Sequence, residues 1–537
     1  MPNPFFQEMT RLGIHIQSAG FEDYLRDESR FTGHADALIR ASNISDVALV
    51  MKACNDTGTP VTVVSGKTSL TGAPVPLGGV ILDVKKLNWM SRDEPNKVGP
   101  GAVLKEYKEF VDSLGLFYPP DPTSESTCTI GGNVACNASG ALSYLYGPTR
   151  DYVQGLKIVL PTGAILNLDR ERVFAKNGMF RIPKDLMDPS PNDDLVVPAP
   201  SWKASPWKVL KNSAGFYSAD SMDLVDLFIG SEGILGVFAQ ITTKLLKRRS
   251  PFFSLIIYLP DEETAVRFVH VLNLLRVLNS PFPEDSLSEC KSQQITHEHW
   301  FKELDCSRFR LILPSCMEWF GNSTAELLPE DHKKYLKNSY GAIFVEQEYE
   351  NEEEMGESAS QWVELIDYFN QLLGNGIKKI QTQVAIDVRG SRAFRLLRQS
   401  IPEKLNELIH PGFVKIGSDF SVPSESLKQL LDVYDEKLPH CISYVFGHIG
   451  NSHLHANILP QTDEDEKTAQ RTMDEIAGEV VSMGGSIAGE HGIGKIKSKY
   501  LEMALGEEAV RQMKRIKRSL DPRNILNCHT LLSDLNS

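Results

Sequence analysis

The chain has 537 residues, 41% hydrophobic and 23% charged, and its 56 basic and 70 acidic side chains leave a net charge of −14. That length predicts two to four domains with sizeable cores, and the composition excludes a disordered, collagen-like or disulfide-scaffold protein. The acidity argues against nucleic acid and anionic lipid as partners, so an anionic substrate needs a local cationic site.

Residues 42–58 predict a helix, with Val47, Val50, Met51 and Cys54 at helical spacing, Asn43 or Ser45 as cap and Gly58 as terminator. Strands follow at 61–64 and 79–84, separated by a glycine–threonine loop. The runs 156–160 and 164–168 flank Pro161-Thr162-Gly163 and predict a hairpin. Residues 170–208 are rich in Pro, Asp and Lys and lack periodicity, the pattern of a surface insertion. From residue 252 the pattern changes to strand, amphipathic helix, two further strands and another helix, which predicts an antiparallel sheet covered by helices. An amphipathic helix ended by Asp521-Pro522 closes the chain.

Eight cysteines are scattered with no C-x-x-C pair, which argues against a zinc ribbon or a cysteine-ligated iron–sulfur cluster and suits a reducing compartment. The N-terminus lacks both an apolar signal core and an Arg-rich transit pattern. The uncharged run 126–149 is a glycine loop rather than a membrane span. These features predict a cytoplasmic protein without an integral span, with peripheral membrane contact allowed.

Two motifs mislead. Ser65-Gly66-Lys67-Thr68 contains GKT, but the first P-loop glycine would fall at Val61; 489–495 fits G-x-x-x-x-G-K but is followed by Ile496, which has no hydroxyl for Mg²⁺. No strand-associated G-x-G-x-x-G supports a classical NAD site. Stronger are three Gly-rich loops, 65–76, 119–140 (with 146–155 after it) and 228–236, whose successive N–H groups and hydroxyls suit a pyrophosphate. His448, His453, His455 and His491 form the other cluster. Two of these imidazoles with Glu490 would make a three-ligand metal site with an open position.

PVTVVSGKTSLTGAPVPLGGVILDV, TIGGNVACNASG, GSEGILG, GHIGNSHLHANI, GEHGIG and SLDPRNILN occur in this order from about residue 30 to 530. In them the chain resembles FAD-linked oxidases of the vanillyl-alcohol-oxidase (PCMH-type) fold, in the branch of D-lactate dehydrogenase, glycolate oxidase and D-2-hydroxyglutarate dehydrogenase. The resemblance implies an α+β protein. A two-subdomain FAD-binding domain spans 1–249, with 170–208 inserted. An antiparallel-sheet substrate (cap) domain with the metal site spans 250–490, and 491–537 returns to the FAD domain.

It further implies FAD held by Ser65, Gly66, Lys67, Thr68, Ser69 and Gly72, by Pro120, Asp121, Ser124, Thr129, Gly131, Gly132, Asn137 and Gly140, and by Glu232, Gly233 and Asn527. A divalent metal, zinc first, falls to His448, His455 and Glu490. His491 matches the general base, and Arg398 and Asn457 match substrate-contacting residues. Lys67 stands where a glycine is usual. His453 is an extra imidazole beside the metal. Gly417 replaces a lysine that the hydroxyglutarate enzymes use for a distal carboxylate, with Lys415 two residues earlier. No histidine lies in 60–80, so non-covalent FAD is expected.

The implied reaction is oxidation of a small D-2-hydroxy acid to the 2-oxo acid by hydride transfer to flavin N5. Electrons then pass to a separate acceptor: electron-transfer flavoprotein, quinone or cytochrome. A homodimer is compatible with this reading. The alternatives are a non-redox flavin transferase of the alkylglycerone-phosphate synthase type and a non-catalytic FAD-binding subunit. The metal-like histidine spacing and the net negative charge argue against the first, and the complete metal pattern against the second.

Overall fold

The computed structural model describes residues 4–202, 209–281, 304–374 and 376–532. Ala37–Arg40, Val61–Val64 and Val80–Asp83 form a three-stranded parallel sheet with Val80–Asp83 in the centre. The expected helix runs Ile44–Thr57. The Asn43 side chain accepts from Asp46 N, and Gly58 ends the helix at φ 70°. Val47, Val50, Met51 and Cys54 bury against Ile39, Val61 and Leu82. The C-terminal segment joins this core: Val61 N–H donates to Ile525 O, Asn527 N–H donates to Val61 O, and Leu526 is buried.

A five-stranded antiparallel sheet follows, in the order Lys97–Val98, Val237–Thr243, Val153–Val159, Ile165–Asp169, Met187–Asp188. Its central hairpin turns at Gly163, φ 85°, as the Pro-Thr-Gly signal predicts. The stretch expected as an irregular surface insertion is more ordered. Met179–Ile182 and Leu195–Pro198 pair as a hairpin, and Met187–Asp188 adds an edge to the sheet. The alternation is there, with Phe180, Ile182 and Val197 buried, but prolines and aspartates between the short strands mask it. Residues 203–208 of that stretch lie outside the described residues.

The third sheet is antiparallel: Gln381–Ala385, Phe252–Leu259, Gly341–Glu348, Pro314–Gly321, Ser443–His448, His453–Ile458 and Ile416–Gly417 in spatial order, with Phe420–Ser421 also pairing to His453–Ile458. Helices Glu262–Asn279, Glu352–Leu372 and Val388–Glu407 follow its strands in the chain. Strand Pro314–Gly321 is buried throughout and Gly341–Glu348 is buried except at Glu348, so the polar residues on them are informative exceptions. No helix among the described residues is long and apolar enough to cross a membrane. The seven described cysteines are free thiols, and Cys290 lies outside the described residues.

Candidate active site

A cleft of about 970 Å³ is lined on one side by the Gly-rich loops and on the other by strands of the antiparallel sheet. Of the residues expected at FAD, Ser65, Gly66, Lys67, Thr68, Ser69, Ser124, Thr129, Gly131, Gly132, Glu232, Gly233 and Asn527 line it. Gly66 lets two loops touch: a Cβ there would sit 3.0 Å from Thr127 O and 3.1 Å from Cys128 Cα. A Cβ on Gly131 would lie 2.7 Å from Pro100 Cβ.

Five expected contacts do not line the cleft and instead shape the loops behind it. Gly72 N–H donates to Asp27 Oδ2 at 2.9 Å. Gly140 sits so close to Asp121 that a Cβ would meet its carbonyl oxygen at 2.2 Å, and Asp121 accepts from Leu142 N. Pro120 is buried. Asn137 ends the helix Ile130–Cys136 in the left-handed region, φ 49°, and accepts from Arg150 N. The Lys67 ammonium donates to Asp23 O at 2.8 Å and lies over the Tyr24 ring.

The Glu232 carboxylate is spent on the N–H groups of Ile493 and Gly494, at 2.8 and 2.7 Å, and so ties the GSEG turn to the GEHGIG loop. Burial pushes its carboxyl up to about 7. Asn527 links the same region, bonding Val63 N and Glu232 O.

Among the described residues, Ser65 Oγ and Asn133 Nδ2 are buried at the cleft wall without a hydrogen-bond partner. Orphaned polar atoms beside a cradle of glycines suit a ligand rich in phosphate and heteroatoms, and the volume lies at the upper end of cofactor pockets. The cleft therefore fits FAD.

At the opposite wall the hairpin of Ser443–His448 and His453–Ile458 meets the loop carrying Glu490 and His491. His448 Nε2 lies 3.2 Å and His455 Nε2 3.3 Å from the same oxygen, Glu490 Oε1. Ligand atoms in a tetrahedral site with bonds of about 2.0–2.1 Å stand roughly 3.3 Å apart. The set therefore fits a divalent cation, with Glu490 offering one oxygen. Its other oxygen, Oε2, accepts from Lys211 Nζ and Ser139 Oγ, each at 3.1 Å. Burial opposes ionisation of Glu490, but Lys211 and His448 outweigh it and hold the carboxyl well below the usual range.

His453 has a different task from its neighbours. Its Nε2 is 3.0 Å from Asp419 Oδ1, so it braces the loop, although a ring nitrogen also lies within 4.8 Å of the ligand atoms of His448, His455 and Glu490. Burial, then His455, push it down to about 3. Asp419 also accepts from Lys497 Nζ at 2.9 Å and from the N–H groups of Glu490 and His491 at 3.2 and 2.9 Å.

His491 stacks on His455, rings 5.2 Å apart and 12° from parallel. Its Nδ1 is 3.6 Å from Asp419 Oδ1 and its Nε2 3.7 Å from Glu490 Oε1. Burial dominates over the nearby Asp419 and pushes the ring down to about 4, so it is neutral at pH 7.

Arg398 and Asn457 line the same cleft. Arg398 Nε donates to Glu318 Oε2 at 2.9 Å, and Glu318 Oε1 is 2.6 Å from His448 Nδ1. Glu318, Lys211 and Asp419 lie outside the motifs, and Ser139, inside TIGGNVACNASG, was not singled out. A carboxylate in the apolar run of residues 314–321 and another in GSDFSVP were the only signals.

Residues 35–169 match the FAD binding domain family, and residues 305–530 match the family of FAD linked oxidases, C-terminal domain. The chain is 28% identical to "D-lactate dehydrogenase" of Anaerostipes hadrus, over 97% of this chain and 95% of that protein. It is also 28% identical to "Glycolate oxidase subunit GlcD" of Bacillus subtilis, over 92% of this chain and 88% of that protein. Among solved structures, p-cresol methylhydroxylase with substrate bound shares the fold with a TM-score of 0.66 at 15% identity, covering 100% of this chain and 98% of that one.

Proposed function

From a chain that carries the FAD binding domain and the C-terminal domain of the FAD linked oxidases, we infer an FAD-dependent dehydrogenase that oxidises a small D-2-hydroxy acid to the 2-oxo acid with the help of a divalent metal. The observation that carries the reading is the convergence of His448, His455, Glu490 and His491 with Arg398 and Asn457 on one wall of the cleft that the glycine loops complete. FAD, when bound, supplies the two-electron acceptor. A divalent cation, zinc first, would be held by His448, His455 and Glu490 and would supply Lewis acidity.

The remaining steps belong to side chains. The terminal nitrogens of Arg398 bind the substrate carboxylate as a fork and supply the local positive charge that the acidic protein needs. Asn457, on the strand that carries His455, orients the substrate beside it. His491 Nε2 takes the hydroxyl proton: it is neutral at pH 7, faces the cleft, and its Nδ1 side is turned toward Asp419. Burial of the cluster keeps bulk water from competing for these contacts.

The test is anaerobic mixing of the holoenzyme with a panel of D- and L-2-hydroxy acids. Flavin bleaching by short D-acids and not by their L-forms is the expected result. Failure of every 2-hydroxy acid to bleach the flavin would sink the proposal. Dicarboxylates in the panel report on Lys415, which lines the cleft where burial, then Arg30, lower its pKa.

A further inference from the structure

Glu318 lies on the central strand Pro314–Gly321 and is buried with only 3% of its surface exposed. A carboxylate so placed is strongly disfavoured unless both oxygens are paired. Both are. Oε1 meets His448 Nδ1 at 2.6 Å and Oε2 meets Arg398 Nε at 2.9 Å. Arg398 and His448 stand on different elements, the helix Val388–Glu407 and the strand Ser443–His448. Glu318 is the group that touches both.

An imidazole that ligates a cation through Nε2 must carry its proton on Nδ1, and an acceptor at Nδ1 fixes that tautomer and the ring plane. Glu318 is such an acceptor, and it leaves Nε2 of His448, 3.2 Å from Glu490 Oε1, unprotonated for a cation that the two would share. Its second oxygen takes only Nε of Arg398. The arginine's terminal nitrogens have no hydrogen-bond partner among the described residues. Arg398 lines the cleft, so its fork remains available to an anion.

We propose that Glu318 is a positioning residue that serves two sites at once, fixing His448 for the cation and the Arg398 fork for the substrate anion. The inference rests on the reaction proposed above. One substitution then weakens two different ligands, a signature that a merely structural acid on this strand would not give. The two bonds also keep the arginine and the cation site in fixed relation, so an anion held on the fork lies next to the cation that the histidines hold.

The experiment uses purified FAD-loaded enzyme. Zinc affinity is measured by competition with a chromophoric chelator. Oxalate binding to the zinc-replete enzyme is followed by the perturbation of the flavin spectrum. Glu318→Gln keeps the size of the side chain and removes the charge. Its expected effects are a loss of zinc affinity of about 10–100-fold, weaker oxalate binding and unchanged FAD content. Glu318→Asp keeps the charge but shortens the reach, and is expected to fall between wild type and Glu318→Gln on both ligands. It also serves as the test if Glu318→Gln does not fold. Wild-type zinc and oxalate affinities in a folded variant, Glu318→Gln or in its place Glu318→Asp, would overturn the proposal alone. A wild-type enzyme that takes up no zinc would overturn it together with the metal-assisted reading.

Discussion

Replacing His491 by asparagine isolates the proton-accepting step. Its backbone N–H donates to Asp419 Oδ2 at 2.9 Å, a bond that asparagine keeps. The ring itself makes no contact shorter than 3.6 Å with Asp419 or Glu490, and the side chain is 26% exposed toward the cleft. The substitution should therefore leave both FAD and metal in place. What it removes is the base, and positioned acid–base groups contribute about 10²–10⁴-fold, so anaerobic flavin reduction should slow by that factor.

The pH profile supplies a second reading. Burial holds the ring near 4, so at pH 7 about a thousand neutral rings exist for each protonated one. Because only the neutral form accepts a proton, wild-type reduction should stay flat between about pH 6 and 8 and fall roughly tenfold per unit below the ring's pKa. Stopped-flow bleaching of wild type and His491→Asn, with metal content measured on the same samples, checks both. Retained metal with unimpaired bleaching would remove His491 from the mechanism. An inflection near pH 6.5 would show that the ring titrates as if in water.

Four further outcomes follow from the same geometry. FAD should be released by denaturation, since residues 60–80 contain no histidine; yellow colour remaining on the acid-precipitated polypeptide contradicts this. His448→Ala should lose the metal and turnover while keeping FAD, because its Nε2 lies 3.2 Å from Glu490 Oε1 in the proposed ligand set, as metal analysis and the flavin spectrum will show. Gly131→Val should impair FAD uptake, because any Cβ already meets Pro100 at 2.7 Å; fluorescence titration of the apoprotein measures it. Asp521→Ala should destabilise the chain by about 3–5 kcal/mol. It leaves Lys517 buried without its ion-pair partner and frees the N–H groups of Ile525 and Leu526. Denaturant unfolding followed by far-UV signal tests this.

The sequence by itself determined the local elements and the order of the motifs. The helix after Asn43, the hairpin at Gly163 and the strand–helix succession from residue 252 are set by periodicity, caps and turn residues, which act over a few neighbours. Strand alternation alone puts His453 and His455 on one side; that His448 and His455 go with Glu490 came from the family resemblance. The short strands within 170–208 were not legible, since burial of Phe180 and Val197 depends on what covers them. Nor were the partners of the histidines. Glu318 stands 130 residues before His448, and Lys211 stands 279 before Glu490. A carboxylate or an ammonium is buried only where folding brings it an opposite charge and enough hydrogen bonds. Tertiary structure decided those pairings, and with them which imidazole faces Glu490, which braces Asp419, and which stays neutral toward the cleft.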